Sequence, residues 1–84
     1  MKLKIYAIKD VVVGEFQNII ESANDGVIIR EATNAVNSAT DNALKLNYKD
    51  KQLWRLGEYD TKTGQINSKA EFMYNLSDFV QKQA

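Results

Sequence analysis

The 84-residue sequence predicts a small α+β domain, in which a three- to four-stranded, mostly antiparallel sheet carries two amphipathic helices on one face. Three observations predict this class. Apolar and polar residues alternate at the start of the chain, a hairpin pattern lies in its second half, and two segments place apolar residues at helical spacing. The length allows a single domain, residues 1–84, with a thin core.

The first predicted strand spans residues 2–9, KLKIYAIK. Its side chains alternate between an apolar face and a lysine-bearing face, with Leu3, Ile5 and Ala7 on one and Lys2, Lys4, Tyr6 and Ile8 on the other. The lysines indicate solvent or a sheet edge on the second face. Residues 10–23 are ambiguous, because Gly14 could form a turn and residues 16–20 could be a second strand or an irregular apolar segment.

The first helix is predicted to begin after the turn at residues 24–26, NDG, where Asn or Asp can supply the cap. The segment VIIREATNAVNSATD then repeats apolar residues on one helical face: Ile28, Ile29, Ala32, Ala35, Val36 and Ala39. Residues 40–52 are predicted to be a polar connection.

A hairpin is predicted next, with QLWRLGEY as one strand, DTKTG as the turn and QINS as the return strand. Gly64 suits the left-handed position of that turn. The closing segment SKAEFMYNLSDFVQKQ is predicted to be the second helix. Ser68 and Glu71 have capping-box spacing, and apolar residues follow at helical intervals: Phe72, Met73, Leu76, Phe79 and Val80.

Composition excludes several function classes. The eleven Lys and Arg residues balance eleven Asp and Glu residues, which argues against a bulk cationic binder of nucleic acids or membranes but leaves room for a local basic face. Without His or Cys, the chain cannot use Ser-His-Asp, Cys-His or His-metal chemistry. With no bilayer-spanning run and no signal-peptide core, we expect a soluble intracellular protein. Because His and Cys are absent, we also expect that it is not an enzyme and has no cofactor or metal site.

Cations and aromatic rings are interleaved between residues 45 and 55. In single-stranded nucleic-acid grooves, phosphates contact cations and bases stack on rings. The candidate nucleic-acid-binding residues are therefore Lys45, Lys49, Lys51, Trp54 and Arg55, joined by Lys2, Lys4 and Tyr6 if the first strand lies alongside. The alternative interpretation places Trp54 in the core and leaves the lysines solvated.

Two further features have competing explanations. Glu58 and Asp60 share one strand face and could act as an acid/base pair or bind a hard cation, but acids at a strand end that enters a turn are the simpler explanation. The apolar stretches 11–13 and 19–20 exceed what a small core needs, so either could form a dimer contact or lie in the domain's own core.

Three segments resemble a known family: KIYAIKD, FQNIIESANDGVIIREATNAVN with Arg30, and KDKQLWRLGEYDTKTGQI. The family is that of the small non-structural protein of gokushoviruses, the single-stranded DNA phages of the Microviridae. Its pattern D-x-x-L-x-x-L-G-x-aromatic-D-x-x-T-G is matched by Asp50, Leu53, Leu56, Gly57, Tyr59, Asp60, Thr63 and Gly64. This chain departs from the family in lacking Pro and in having Lys51 where an aromatic residue is frequent.

The resemblance implies a non-capsid phage protein, made in the cytoplasm of the host bacterium. Members of that family are thought to bind DNA and to aid the switch from duplex replication to single-strand synthesis and packaging. We therefore expect non-specific binding of single-stranded DNA by a small homo-oligomer, with a shallow salt dependence because the net charge is zero. The alternative is a module that binds a phage or host replication or assembly protein without contacting DNA.

Overall fold

The structure, a computed structural model, describes residues 1–38 and 48–79. In chain order these residues form two strands, one α-helix and two more strands: β1 (Lys2–Asp10), β2 (Glu15–Ser22), α1 (Asp25–Ser38), β3 (Lys51–Asp60) and β4 (Ile66–Asn75). Short 3₁₀ turns precede β3 at Tyr48–Asp50 and follow β4 at Leu76–Phe79.

The four strands form one sheet in the order β2-β1-β3-β4, with every neighbouring pair antiparallel. Helix α1 packs on one face, where Ile28 joins Tyr6 and Leu53 in a cluster of buried side chains. Partly buried residues complete this core: Ile8, Ile20, Ile29, Met73, Leu76 and Phe79. We call this the helix side of the sheet and the opposite face the open face.

Both hairpins turn on an aspartate and a glycine. The Asp10 carboxylate accepts hydrogen bonds from the backbone N–H groups of Val12 and Val13, and Gly14 follows with a φ of 79°. Asp60 accepts the N–H of Lys62 in the same way, and the N–H of Gly64 donates to the Asp60 carbonyl at 2.8 Å. Gly64 has a φ of 76°, so its predicted left-handed role is confirmed.

The mostly antiparallel sheet and the first predicted helix are confirmed, and the sheet has four strands. Residues 10–23, which the pattern left ambiguous, contain the β1–β2 turn and β2. Of the predicted connection, residues 48–50 form a 3₁₀ turn and β3 begins at Lys51, one residue earlier than predicted, while residues 39–47 lie outside the described part of the chain.

The prediction of a second helix is wrong. Residues 66–75 form β4, and only the 3₁₀ turn at 76–79 follows among the described residues. Cross-strand partners explain the difference: Glu71 lies opposite Arg55 and pairs with its guanidinium, and Phe72 lies opposite Trp54 and contacts its ring. These contacts override a capping-box pattern whose local stabilisation is small, and the predicted second helix on the sheet is replaced by a fourth strand.

The predicted alternation of β1 is confirmed, but its lysine-bearing face is not simply a solvent face. Tyr6 on that face is fully buried under α1, and its hydroxyl donates to Asp25 at 2.5 Å. The apolar residues Leu3, Ile5 and Ala7 instead lie on the open face, because side chains alternate along the strand. The sheet therefore presents apolar side chains away from its helix.

Candidate functional site

Three aromatic rings line up across the open face. Phe16 of β2 and Trp54 of β3 meet edge to face with ring centroids 5.4 Å apart, and Trp54 and Phe72 of β4 do so at 5.8 Å. Phe16 is 42% exposed and Phe72 is 49% exposed. We call these three rings the aromatic row, and edge-to-face packing of this kind holds each ring in a defined orientation.

Ala7 makes the aromatic row possible. It lies on β1 directly opposite Trp54, between the strands that carry Phe16 and Trp54. It is completely buried although it belongs to the open face. A larger side chain at this position would occupy the space in which the two rings meet.

Lys9 lies beside two of these rings. The ammonium of Lys9 lies 4.9 Å from the Trp54 ring centroid and 5.3 Å from that of Phe16, within the range of cation–π attraction. Among the described residues Lys9 has no carboxylate partner. Its charge is therefore available to an anion that approaches the open face.

Polar side chains fix the indole. Trp54 Nε1 donates to Gln52 Oε1 at 2.9 Å, and Gln52 Nε2 donates to Asn75 Oδ1 at 3.2 Å. The chain of bonds ties the central ring to β4. The aromatic row is thus ordered before any ligand binds, which lowers the conformational entropy that binding would cost.

Exposed aliphatic residues extend this apolar surface. Ile19 is 74% exposed on β2 and Ile66 is 63% exposed on β4. The tip of the β1–β2 hairpin consists of three exposed valines, Val11 to Val13. Of the two apolar stretches in the sequence, 11–13 is therefore exposed, whereas in 19–20 only Ile20 packs against the core.

Most of the predicted cations lie on the helix side and are paired with acids. Lys51 Nζ is 2.9 Å from Asp10, and Arg55 contacts both Asp25 and Glu71 at 2.7 Å. Two weaker pairs lie on the same face, Lys4 with Asp25 at 3.8 Å and Lys2 with Glu58 at 3.7 Å. The charges of these residues are compensated within the chain.

Asp25 is the centre of that charge network. The hydrogen bond from Tyr6 is the main cause that lowers the pKa of Asp25 below its ordinary value, and the Arg55 guanidinium and Lys4 act in the same direction. Burial and the neighbouring carboxylate raise the pKa of Tyr6. The Lys51 ammonium likewise holds the pKa of Asp10 low. This network ties the start of α1 to the sheet.

The predicted nucleic-acid-binding residues are therefore divided. Trp54 lies on the open face, apart from the paired cations of the helix side. Tyr6 is buried, Lys49 is exposed in the 3₁₀ turn before β3, and Lys45 lies outside the described residues. Of the eight candidates, the structure brings Lys2, Lys4, Tyr6, Lys51 and Arg55 to one face but not to Trp54.

The two acids at the end of β3 have structural partners. Asp60 caps its turn, as the turn explanation expected, and the Lys62 N–H is the main cause that lowers its pKa. Glu58 pairs with Lys2. Within residues 1–38 and 48–79, no three side chains of the His, Cys, Asp or Glu types are grouped so that they could hold a metal ion.

Sequence reasoning missed Phe16, Phe72 and Lys9. Lys9 had a usable signal, because the alternation of β1 places it on the same face as Ala7. Phe16 lies in the segment with ambiguous pattern, and Phe72 in the segment with helical spacing. Neither could be assigned to the face of Trp54 before the strand register was known.

No helix among the described residues has the length and apolar character needed to cross a membrane. No curated protein and no solved structure matches the chain. A family model described as Phage ORF5 protein matches residues 3–79, which is nearly the whole sequence. The chain therefore belongs to the phage ORF5 protein family.

Proposed function

We propose that this phage protein binds single-stranded DNA, without sequence preference, on the open face of its sheet. The observation that carries the proposal is the aromatic row, in which Trp54 is flanked by the exposed rings of Phe16 and Phe72. Every base has a π face, so stacking on such rings tolerates any sequence. Trp54, which was predicted from the sequence, belongs to this binding site. Lys9 supplies its positive charge in place of the predicted cations, which are paired with acids on the helix side.

The expected mechanism combines stacking with limited charge neutralisation. Bases displaced from a duplex would stack on Phe16 and Phe72, and the Lys9 ammonium would contact a phosphate beside them. Because the net charge is zero and the helix-side cations are paired, few phosphates can be neutralised. Affinity should therefore be modest and depend weakly on salt. The logarithm of the binding constant should fall with the logarithm of the salt concentration with a slope of about 0.7 per phosphate contact.

The proposed biological role rests on the resemblance to the gokushovirus non-structural protein. We propose that the protein acts in the cytoplasm of the host bacterium as a non-capsid accessory protein. By covering newly displaced single strands it would hinder their conversion to duplex and favour single-strand synthesis and packaging. Infection with a phage that lacks the protein should then accumulate duplex DNA at the expense of single strands, and an unchanged ratio would contradict this role.

The direct test is titration with a single-stranded oligonucleotide while the emission of Trp54, the only Trp, is followed. Phe16→Ala and Phe72→Ala should each weaken binding by about 5- to 150-fold, which corresponds to ~1–3 kcal/mol per stacked base. The matched control is Tyr74→Ala, which removes an exposed ring from the helix side of β4. Absence of binding at low salt would overturn the proposal.

A protein partner is the second candidate, and the exposed aliphatic residues favour it. Ile19, Ile66 and Val12 are each more than 60% exposed and have no role in base stacking. Apolar surface of this kind commonly marks a protein interface. A phage or host protein that is recovered after nuclease treatment, and is lost with Ile19→Lys, would support this function instead of DNA binding.

A further inference from the structure

We infer that the outer edge of β4 pairs with the same edge of a second copy of the chain, around a two-fold axis at Ala70. β4 is ten residues long and lies at the end of the sheet, and no described residue pairs with its outer edge. A strand with free N–H and C=O groups is a template for another strand. The pairing would join two four-stranded sheets into one of eight strands.

The two edge strands of the sheet, β2 and β4, differ in how well their backbones can pair with another strand. At the other edge, β2 is interrupted at Asn18, which has a φ of 54°, and its register with β1 shifts there. A bulge of this kind is a common way to block an edge. The register of β4 with β3 also shifts, between Ser68 and Glu71, but no residue of β4 has a positive φ, and the paired residues still alternate: Ile66, Ser68 and Phe72 on the open face, Asn67 and Glu71 on the helix side. The backbone of β4 therefore stays extended through Ala70 and can receive a partner strand.

Charge selects the register. With the axis at Ala70, Lys69 of each copy lies opposite Glu71 of the other, so two opposite-charge pairs form. An axis at Lys69 would place the two lysines opposite each other, and an axis at Glu71 would do the same with two acids. Lys69 is 82% exposed and already reaches Glu71 within its own chain at 3.3 Å, so it can reorient toward the partner.

Side-chain size at the axis agrees with this register. Opposing side chains in an antiparallel pair approach to about 5 Å, and Ala70 is small enough to face its own copy without crowding. Ser68 would lie opposite Phe72, and the aromatic rows of both copies would lie on one continuous face. The dimer does not depend on what binds to that face.

The expected dimer is weak. A single strand pair covers less than the ~1,200 Å² of a standard stable interface, so association should depend on concentration. Sedimentation velocity of the full chain over a wide concentration range should show a monomer–dimer equilibrium. A monomer at all concentrations up to the solubility limit would overturn the inference.

Substitution at the axis tests the location. Ala70→Lys places two like charges directly opposite each other and should abolish the dimer, whereas Ala70→Thr retains a good strand residue and should preserve it. Ala70 is exposed, so both variants should fold. The matched control is Ile19→Lys, which adds the same charge to the other edge strand and should leave the dimer intact. A dimer that survives Ala70→Lys, or is lost with Ile19→Lys, would contradict the location.

Charge exchange tests the register. Lys69→Glu and Glu71→Lys should each be monomeric alone, because each homodimer would contain only like-charge pairs. Mixing the two variants should restore a mixed dimer in which every pair is of opposite sign. If the mixture stays monomeric while both variants show native circular dichroism, the proposed register is wrong. If Glu71→Lys does not fold because Arg55 loses a partner, the double variant K69E/A70T must still be monomeric, and a dimer would overturn the register.

Discussion

Phe16 and Trp54 meet edge to face at 5.4 Å although their strands, β2 and β3, are separated by β1. Two rings can reach each other across an intervening strand only if that strand offers a small side chain beneath them. Ala7 is that residue, and its complete burial on an otherwise open face follows from the cover of the rings. The aromatic row thus depends on an alanine that has no chemical function of its own.

Ala7→Leu should force Phe16 and Trp54 apart. Overpacking at a filled site commonly costs about 1–3 kcal/mol in the free energy of unfolding. Trp54 emission should shift to longer wavelength as the indole becomes wetter, and urea unfolding will measure the loss. The control is Ala35→Leu on the exposed surface of α1, which should change stability by less than ~0.5 kcal/mol. Equal effects of the two substitutions would contradict the role of Ala7.

The sequence predicted those parts of the fold in which local and tertiary signals agree. The alternation of β1, the amphipathic pattern of α1 and the glycine turn at Gly64 each have a local cause, and each was confirmed. The start of β4 was predicted as the return strand of the hairpin, but its continuation from Lys69 to Asn75 was wrongly predicted as a helix, because the spacing from Phe72 onward fits 3.6 residues per turn and only the pairing with β3 decides otherwise. The candidate site could be predicted only as far as Trp54, since its ring neighbours come from strands that sequence spacing does not bring together.

Gly57→Ala should be strongly destabilising. Gly57 has a φ of 150°, and an added Cβ would lie 2.2 Å from the backbone oxygen of Asn67 on the neighbouring strand. Neither strand can move without breaking its ladder, so strain and overlap together should cost about 3 kcal/mol or more. Gly64→Ala is the control, because its φ of 76° is also unfavourable but nothing lies within 4 Å, and about 1 kcal/mol is expected.

Thermal or urea unfolding of the two glycine variants will decide this prediction. The structure requires the Gly57 variant to lose clearly more stability than the Gly64 variant. If the order were reversed, the close approach of β3 and β4 at Gly57 would be wrong.

Stability should fall in acid through Asp25. The pKa of Asp25 is lowered below the ordinary 3.8 in the folded chain, chiefly by the Tyr6 hydroxyl, so the unfolded state binds a proton first. The contribution of Asp25 is therefore complete above pH 3.8 and is lost as the pH falls through the lower folded value. Tyr6→Phe removes the main cause of the lowered pKa, so its free energy of unfolding should depend less on pH in this range.

Urea unfolding of both proteins from neutral pH down to pH 2.5 measures that difference. Tyr74→Phe is the matched control, since it removes a tyrosine hydroxyl from a ring that contacts Phe79 and not Asp25, and it should leave the pH dependence unchanged. If the free energy of unfolding falls with pH equally in the wild type and in Tyr6→Phe, the Tyr6–Asp25 hydrogen bond is not the cause of the acid sensitivity.

Substitution of Lys9 should weaken DNA binding, whereas substitution of Arg55 should lower the stability of the fold. Lys9→Met removes a charge that lies beside the aromatic row, so the salt slope of single-stranded DNA binding should fall by about 0.7 while the fold is little affected. Arg55→Met leaves Asp25 and Glu71 without their shared partner and should lower the free energy of unfolding by about 1 kcal/mol, a small value because the network is partly exposed. DNA affinity should stay within about twofold of the wild type, since Arg55 lies on the helix side. Oligonucleotide titration at several salt concentrations, combined with urea unfolding, tests both variants. A loss of affinity with Arg55→Met and none with Lys9→Met would place the binding surface on the other face of the sheet.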